Sequence, residues 1–125
     1  MKKTAILLAL TALLVAVFAT AALSAGRQCR SYPCTGNNNP NHLIEWRGNG
    51  TPDYIKGYGG RDDIDAGRYT RDRDRIYGNS GNDTLIVLDG DTRDRAVGGS
   101  SRRDICVVDA RSEAGSGCNS IQFGG

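Results

Sequence analysis

Apolar residues are concentrated at one end of the 125-residue chain and spread thinly, but regularly, over the rest. Ala5 to Leu23 is almost purely Ala, Leu, Val, Ile, Phe and Thr behind the basic start Met1-Lys2-Lys3, the layout of a secretory signal peptide. Small residues permit cleavage after Ala25 or after Ala21. A retained anchor is the rival reading, because the stretch is close to spanning length; no later segment is apolar enough to span. Residues 26–47 read as a polar N-terminal cap whose last part, His42 to Arg47, can form a first strand.

From Gly48 onward the apolar positions recur with a period. Gly57-Tyr-Gly-Gly-Arg-Asp62-Asp-Ile64, Gly78-Asn-Ser-Gly-Asn-Asp83-Thr-Leu85 and Gly99-Ser-Ser-Arg-Arg-Asp104-Ile-Cys106 align with the Asp at an interval of 21. A second set lies between them, with Asp53-Tyr-Ile55, Asp74-Arg-Ile76 and the weaker Asp94-Arg-Ala96. Two short strands and two turns per interval describe a solenoid coil. The fold expected is therefore all-β: a short right-handed parallel β-roll, or β-solenoid, of about three coils over residues 48–109. Ile55, Ile64, Ile76, Leu85, Val97 and Cys106 face inward in this reading. Helix is disfavoured because Gly recurs too often and no 3.6-residue apolar stripe persists. Thr84 to Leu88 and Ile105 to Val108 are the richest strand candidates. Residues 110–125 read as a Ser- and Gly-rich C-terminal cap.

Composition sharpens the picture once the leader is set aside. Lys2 and Lys3 account for the net charge of +2, so 14 basic side chains face 14 acidic ones in the remainder. That balance argues against a strong nucleic-acid binder. Leu, Ile, Val and Phe number only 15 in the last 100 residues, too few for apolar burial alone to hold a domain. Disulfides, metal ions or a partner must contribute. Cys29, Cys34, Cys106 and Cys118 all lie in the exported part, and four cysteines there suggest two disulfides. Of three connectivities the local one, Cys29–Cys34 with Cys106–Cys118, is preferred, which ties both ends. Zinc fits poorly, given the spacings and the single His42.

The pattern Gly-x-x-Gly-x-Asp-x-apolar resembles the RTX, or hemolysin-type calcium-binding, repeat family over roughly Gly48 to Val108. The resemblance implies glycine turns that bind Ca²⁺. A hard cation needs six to eight oxygens, so each ion must be shared between stacked turns. Asp62, Asp83 and Asp104 would line one edge of the stack and Asp53, Asp74 and Asp94 the other. The Asp62–Asp83 edge is the preferred calcium site. The chain departs from the family pattern at Thr51 and Arg102, which replace the second glycine, and in the long segment 67–75. Arg beside Asp at 61, 71, 73, 75, 93, 95, 102 and 103 offers ion pairs in place of metal.

The alternation from Arg71 to Arg75 reads as a solvated network whose signs cancel. Tyr54, Tyr58, Tyr69 and Tyr77 read as turn-adjacent packing rather than a sugar-stacking face. Asn49-Gly-Thr51 and Asn82-Asp-Thr84 match glycosylation acceptors. An EF-hand at Asp89-Gly-Asp91-Thr-Arg-Asp94 fails, because the glycine is misplaced and Ser100 replaces the closing Glu. One His and the lack of a nucleophile elbow leave no enzyme motif. The function expected is thus a secreted, non-catalytic calcium-binding module. The second expectation is a disulfide-stapled extracellular module for a cell-surface polymer or protein.

Overall fold

The computed structural model describes residues 26–46 and 51–124. The segment expected to be a leader, with both expected cleavage sites, lies outside the described residues. Among the described residues there is no α-helix, only a 3-10 turn at Arg111–Glu113 and ten short strands. These are β1 (Arg27–Cys29), β2 (Cys34–Thr35), β3 (His42–Glu45), β4 (Tyr54–Tyr58), β5 (Asp63–Asp65), β6 (Arg75–Asn79), β7 (Thr84–Ile86), β8 (Arg95–Gly99), β9 (Ile105–Val108) and β10 (Ser120–Phe123).

Up to β9, odd- and even-numbered strands part into two sheets, and β10 joins the odd-numbered one. One has six strands in the order β1-β3-β5-β7-β9-β10 and the other has four, β2-β4-β6-β8. Every pairing is parallel. The chain thus climbs a β-solenoid, with β3–β4, β5–β6 and β7–β8 as its three full coils and shorter rungs at either end. Strands this short, with Gly and Asp between them, are what the 21-residue interval demands. Three of the first four strands lie in the segment read as a cap, and residues 120–123 form a full rung against β9.

Two columns of single apolar side chains run through the interior, with Ala66, Val87 and Val108 fully buried beside them. In the six-stranded sheet Leu43, Ile64, Leu85, Cys106 and Ile121 stand in register. In the other sheet the column is Cys34, Ile55, Ile76 and Ala96. Ala96, fully buried, takes the position expected for Val97, which is half-buried on the outer side. The Asp74-to-Asp94 interval is one residue short of 21, and a one-residue slip in a strand exchanges its two faces.

Disulfides Cys29–Cys34 and Cys106–Cys118 close the ends as expected, and no free cysteine remains among the described residues. The strand-to-turn junctions are alike in successive coils. Tyr58 and Asn79 share one register position and adopt φ of 79° and 74°. At both, the left-handed backbone curls the chain into its Gly-rich turn.

Candidate metal centre

The repeated Asp residues are buried in the solenoid, and Asp62, Asp74, Asp83, Asp94 and Asp104 each accept a backbone hydrogen bond from the coil before. On the glycine-turn edge the Asn41 backbone N–H donates to Asp62 Oδ1 at 2.9 Å. The N–H of Asp62 donates to Asp83 Oδ1 and that of Asp83 to Asp104 Oδ1, both at 2.8 Å. The N–H of Asp104 then donates to Asn119 Oδ1 at 3.0 Å. On the long-turn edge Asp53 donates in the same way to Asp74 (2.7 Å), Asp74 to Asp94 (2.8 Å) and Asp94 to Glu113 Oε1 (3.3 Å). One carboxylate oxygen per residue therefore serves the stack. The other, Oδ2, is buried without a hydrogen-bond partner among the described residues in Asp62, Asp74, Asp83, Asp94 and Asp104.

The first glycine of the motif makes room for that second oxygen. A Cβ on Gly57 would lie 2.1 Å from Asp62 Oδ2, and one on Gly78 would lie 2.2 Å from Asp83 Oδ2. Gly36 bears the same relation to Asn41 Oδ1, at 2.1 Å, so Gly36 to Leu43 is one more copy of the repeat with Asn in the Asp column. Asn119 closes the column at the other end.

Burial without full solvation pushes these acids up. Desolvation, reinforced by Asp62 and Asp104, raises Asp83 from the ordinary 3.8 to about 6. Desolvation with Asp72 and Asp94 raises Asp74 to about 9, and desolvation with Asp89, Asp91 and Glu113 raises Asp94 to about 7. Asp62, Asp89 and Glu45 are also shifted upward, chiefly by burial.

Carboxylates converge in two places, both on the long-turn edge. In Glu45, Asp72 and Asp74, one oxygen from each lies within 4.8 Å of the others, and the same holds for Asp89, Asp91 and Asp94. Glu45 accepts hydrogen bonds from the Tyr69 N–H and, at 2.9 Å, from the Thr70 hydroxyl, which fastens the long turn to the coil before it. Both oxygens of Asp72 are buried and without a partner among the described residues, as is Asp74 Oδ2. In the second group Asp91 pairs with Arg93 at 2.7 Å, which holds its carboxyl below the usual range. The first group is therefore the better candidate cation site: all-oxygen and anionic, with the Asp72 oxygens and Asp74 Oδ2 not engaged by hydrogen bonds among the described residues.

Of the six Asp residues read as ligands, only Asp74 and Asp94 belong to these groups. Asp62, Asp83 and Asp104 stack as a column on the other edge, and Asp53 begins the long-turn column. Glu45, Asp72, Asp89 and Asp91 were missed. The run from Asp89 to Asp94 was the visible signal, set aside with the failed EF-hand. The arginines do not neutralise the columns: among the described residues the Arg ion pairs are Arg68–Asp65 (3.1 Å) and Arg93–Asp91, both in turns.

Comparison with protein families, with curated proteins and with solved structures finds no match for this chain. The fold and the site define its class: a disulfide-tied β-solenoid with Asp-rich stacked turns able to hold a metal ion. Two disulfides fit an oxidising compartment. No helix among the described residues is long and apolar enough to cross a membrane.

Proposed function

We propose that the chain is a secreted, non-catalytic calcium-binding module related to the RTX repeats, whose folding is coupled to Ca²⁺. The carrying observation is Asp74: wholly buried, with Oδ2 without a hydrogen-bond partner among the described residues, and with one carboxylate oxygen within 4.8 Å of oxygens of Glu45 and Asp72. An oxygen-only donor set with three carboxylates favours a hard divalent ion of flexible coordination, hence Ca²⁺ over the transition metals. Mutual repulsion and desolvation of these acids oppose folding until a cation enters, so metal-binding free energy becomes folding free energy. Affinity of about 10⁻⁴–10⁻³ M, usual for extracellular sites, would suffice outside the cell. The Asp62–Asp83 edge has a smaller part in this reading than the repeat pattern suggests, because none of its carboxylates belongs to a converging group of three.

Calorimetric titration with CaCl₂ tests the assignment. Wild type should bind, Asp74→Asn should bind at least about tenfold more weakly, and Asp62→Asn should bind as wild type does. Equal loss in Asp62→Asn would move the ion to the glycine-turn edge. No heat and no competition by chelator in the wild type would remove calcium from the account.

A further inference from the structure

The Arg-Asp alternation separates its charges instead of cancelling them. In and before β6 the side chains of Arg71, Arg73 and Arg75 are exposed, whereas Asp74 is buried and Asp72 half-buried. The same sorting holds for the whole molecule. Of the 14 carboxylate residues, nine are buried: Glu45, Asp53, Asp62, Asp65, Asp74, Asp83, Asp94, Asp104 and Glu113. Among the described residues no Lys or Arg is buried. A chain that is neutral after its leader therefore has a cationic surface.

That excess is densest on the outer face of the four-stranded sheet. Arg75 and Arg95 are register neighbours on adjacent parallel strands, about 4.8 Å apart along the sheet. Like charges so placed repel, and neither they nor Arg73 forms an ion pair among the described residues. A cavity of about 510 Å³ is lined by Arg73, Arg75, Arg93 and Arg95, by the hydroxyl-bearing residues Tyr77, Thr92 and Ser112, and by Asp94. Asp94 lies beneath it, 4% exposed, with Oδ1 turned to the Asp74 N–H. Through Arg73 and Arg75 the cavity continues into a second of about 180 Å³ beside Tyr32 and Tyr54.

We propose that this face binds an acidic polysaccharide, with Arg73, Arg75 and Arg95 gripping its carboxylate or sulfate groups and the hydroxyl-bearing side chains meeting the hydroxyls of the sugar. Guanidinium forks suit planar carboxylates and sulfates. An open face lined with hydroxyl groups suits a sugar chain. Tyr32, Tyr54 and Tyr77 pack on one another at 6.0 and 5.3 Å with tilts of 49° and 50°, and Tyr32 at the end of this row is 74% exposed. The inference stands apart from calcium, since the arginines lie outside the stack.

The test is retention of the folded chain on immobilised heparin and polygalacturonate, against neutral dextran, in millimolar calcium. Wild type should be held by the two acidic polymers at physiological salt and released by more salt. Arg75→Ala/Arg95→Ala should bind about tenfold more weakly, two exposed charge contacts being lost. Arg61→Ala/Arg103→Ala, with the same charge change around the separate cavity near Asp83, should bind as wild type does. Melting curves confirm that each variant is folded. Equal weakening by both pairs, passage of the wild type through the acidic columns, or tighter binding to duplex DNA at matched charge would each overturn the proposal.

Discussion

Replacing Asp83 with Asn separates the two roles a buried aspartate can have in this solenoid. Asp83 is 1% exposed; its Oδ1 accepts the Asp62 N–H at 2.8 Å, and its Oδ2 faces Gly78 without a hydrogen-bond partner. Its carboxyl is pushed from 3.8 to about 6. The folded chain therefore holds this proton more tightly than the unfolded chain, and stability falls as pH rises from about 4 through 6. A shift of about 2 units corresponds to about 3 kcal/mol of destabilisation once both states are ionised. Asn keeps the Oδ1 acceptor, as Asn41 and Asn119 do at the ends of the same column. Its NH₂ lacks an evident acceptor, which costs about 1–2 kcal/mol. Asp83→Asn should therefore gain about 1–2 kcal/mol at about pH 8 and nothing, or a slight loss, at about pH 4. Urea unfolding at the two pH values, in chelator, measures both differences. A loss of more than about 1 kcal/mol at pH 8 would refute the reasoning, because the ionised carboxylate would then be needed.

The same geometry sets further outcomes. Gly78→Ala should cost about 2–3 kcal/mol in thermal unfolding, since its Cβ would meet Asp83 Oδ2 at 2.2 Å and the Gly98 carbonyl at 2.7 Å. Gly59→Ala, whose nearest neighbour is the Asn38 side chain at 2.9 Å, should cost under about 1 kcal/mol. With Asp74 near 9 and Asp94 near 7, the metal-free chain should grow steadily less stable as pH rises from about 4 to 9, read as falling urea midpoints. In millimolar calcium the slope should flatten or reverse, because the ion requires the deprotonated carboxylates. Removing the Cys106–Cys118 bridge as a double Ser variant should lower stability by about 3 kcal/mol, the scale expected for a short closed loop.

The coil interval was legible because one apolar side chain per strand, flanked by Gly and Asp, leaves few other ways to bury anything. Ile55, Ile64, Ile76, Leu85 and Cys106 were placed from that pattern alone, and the local disulfides from cysteine spacing. Val97 was misplaced because a single missing residue changes the face of β8 without changing its composition. The copy from Gly36 to Leu43 was hidden by Asn in the Asp column, although an Asn carbonyl accepts the same backbone bond. The acidic centre was less legible for a different reason. Glu45 and Asp72 are 27 residues apart and meet only because the long turn before β6 folds back over the end of β3. The sorting of Arg outward and Asp inward likewise needs the strand's alternation to be set against a known interior.

Far-UV circular dichroism melting of residues 26–125, first in chelator and then in millimolar calcium, tests the coupling of ion and fold most directly. Metal-linked folding predicts a weakly ordered or low-melting chain in chelator and a β-rich one in calcium. At about a hundred times the dissociation constant the gain is about 3 kcal/mol, or a rise of more than about 10 °C. Identical melting curves in the two buffers would contradict it: the hydrogen-bonded Asp columns and the two disulfides would then hold the solenoid unaided.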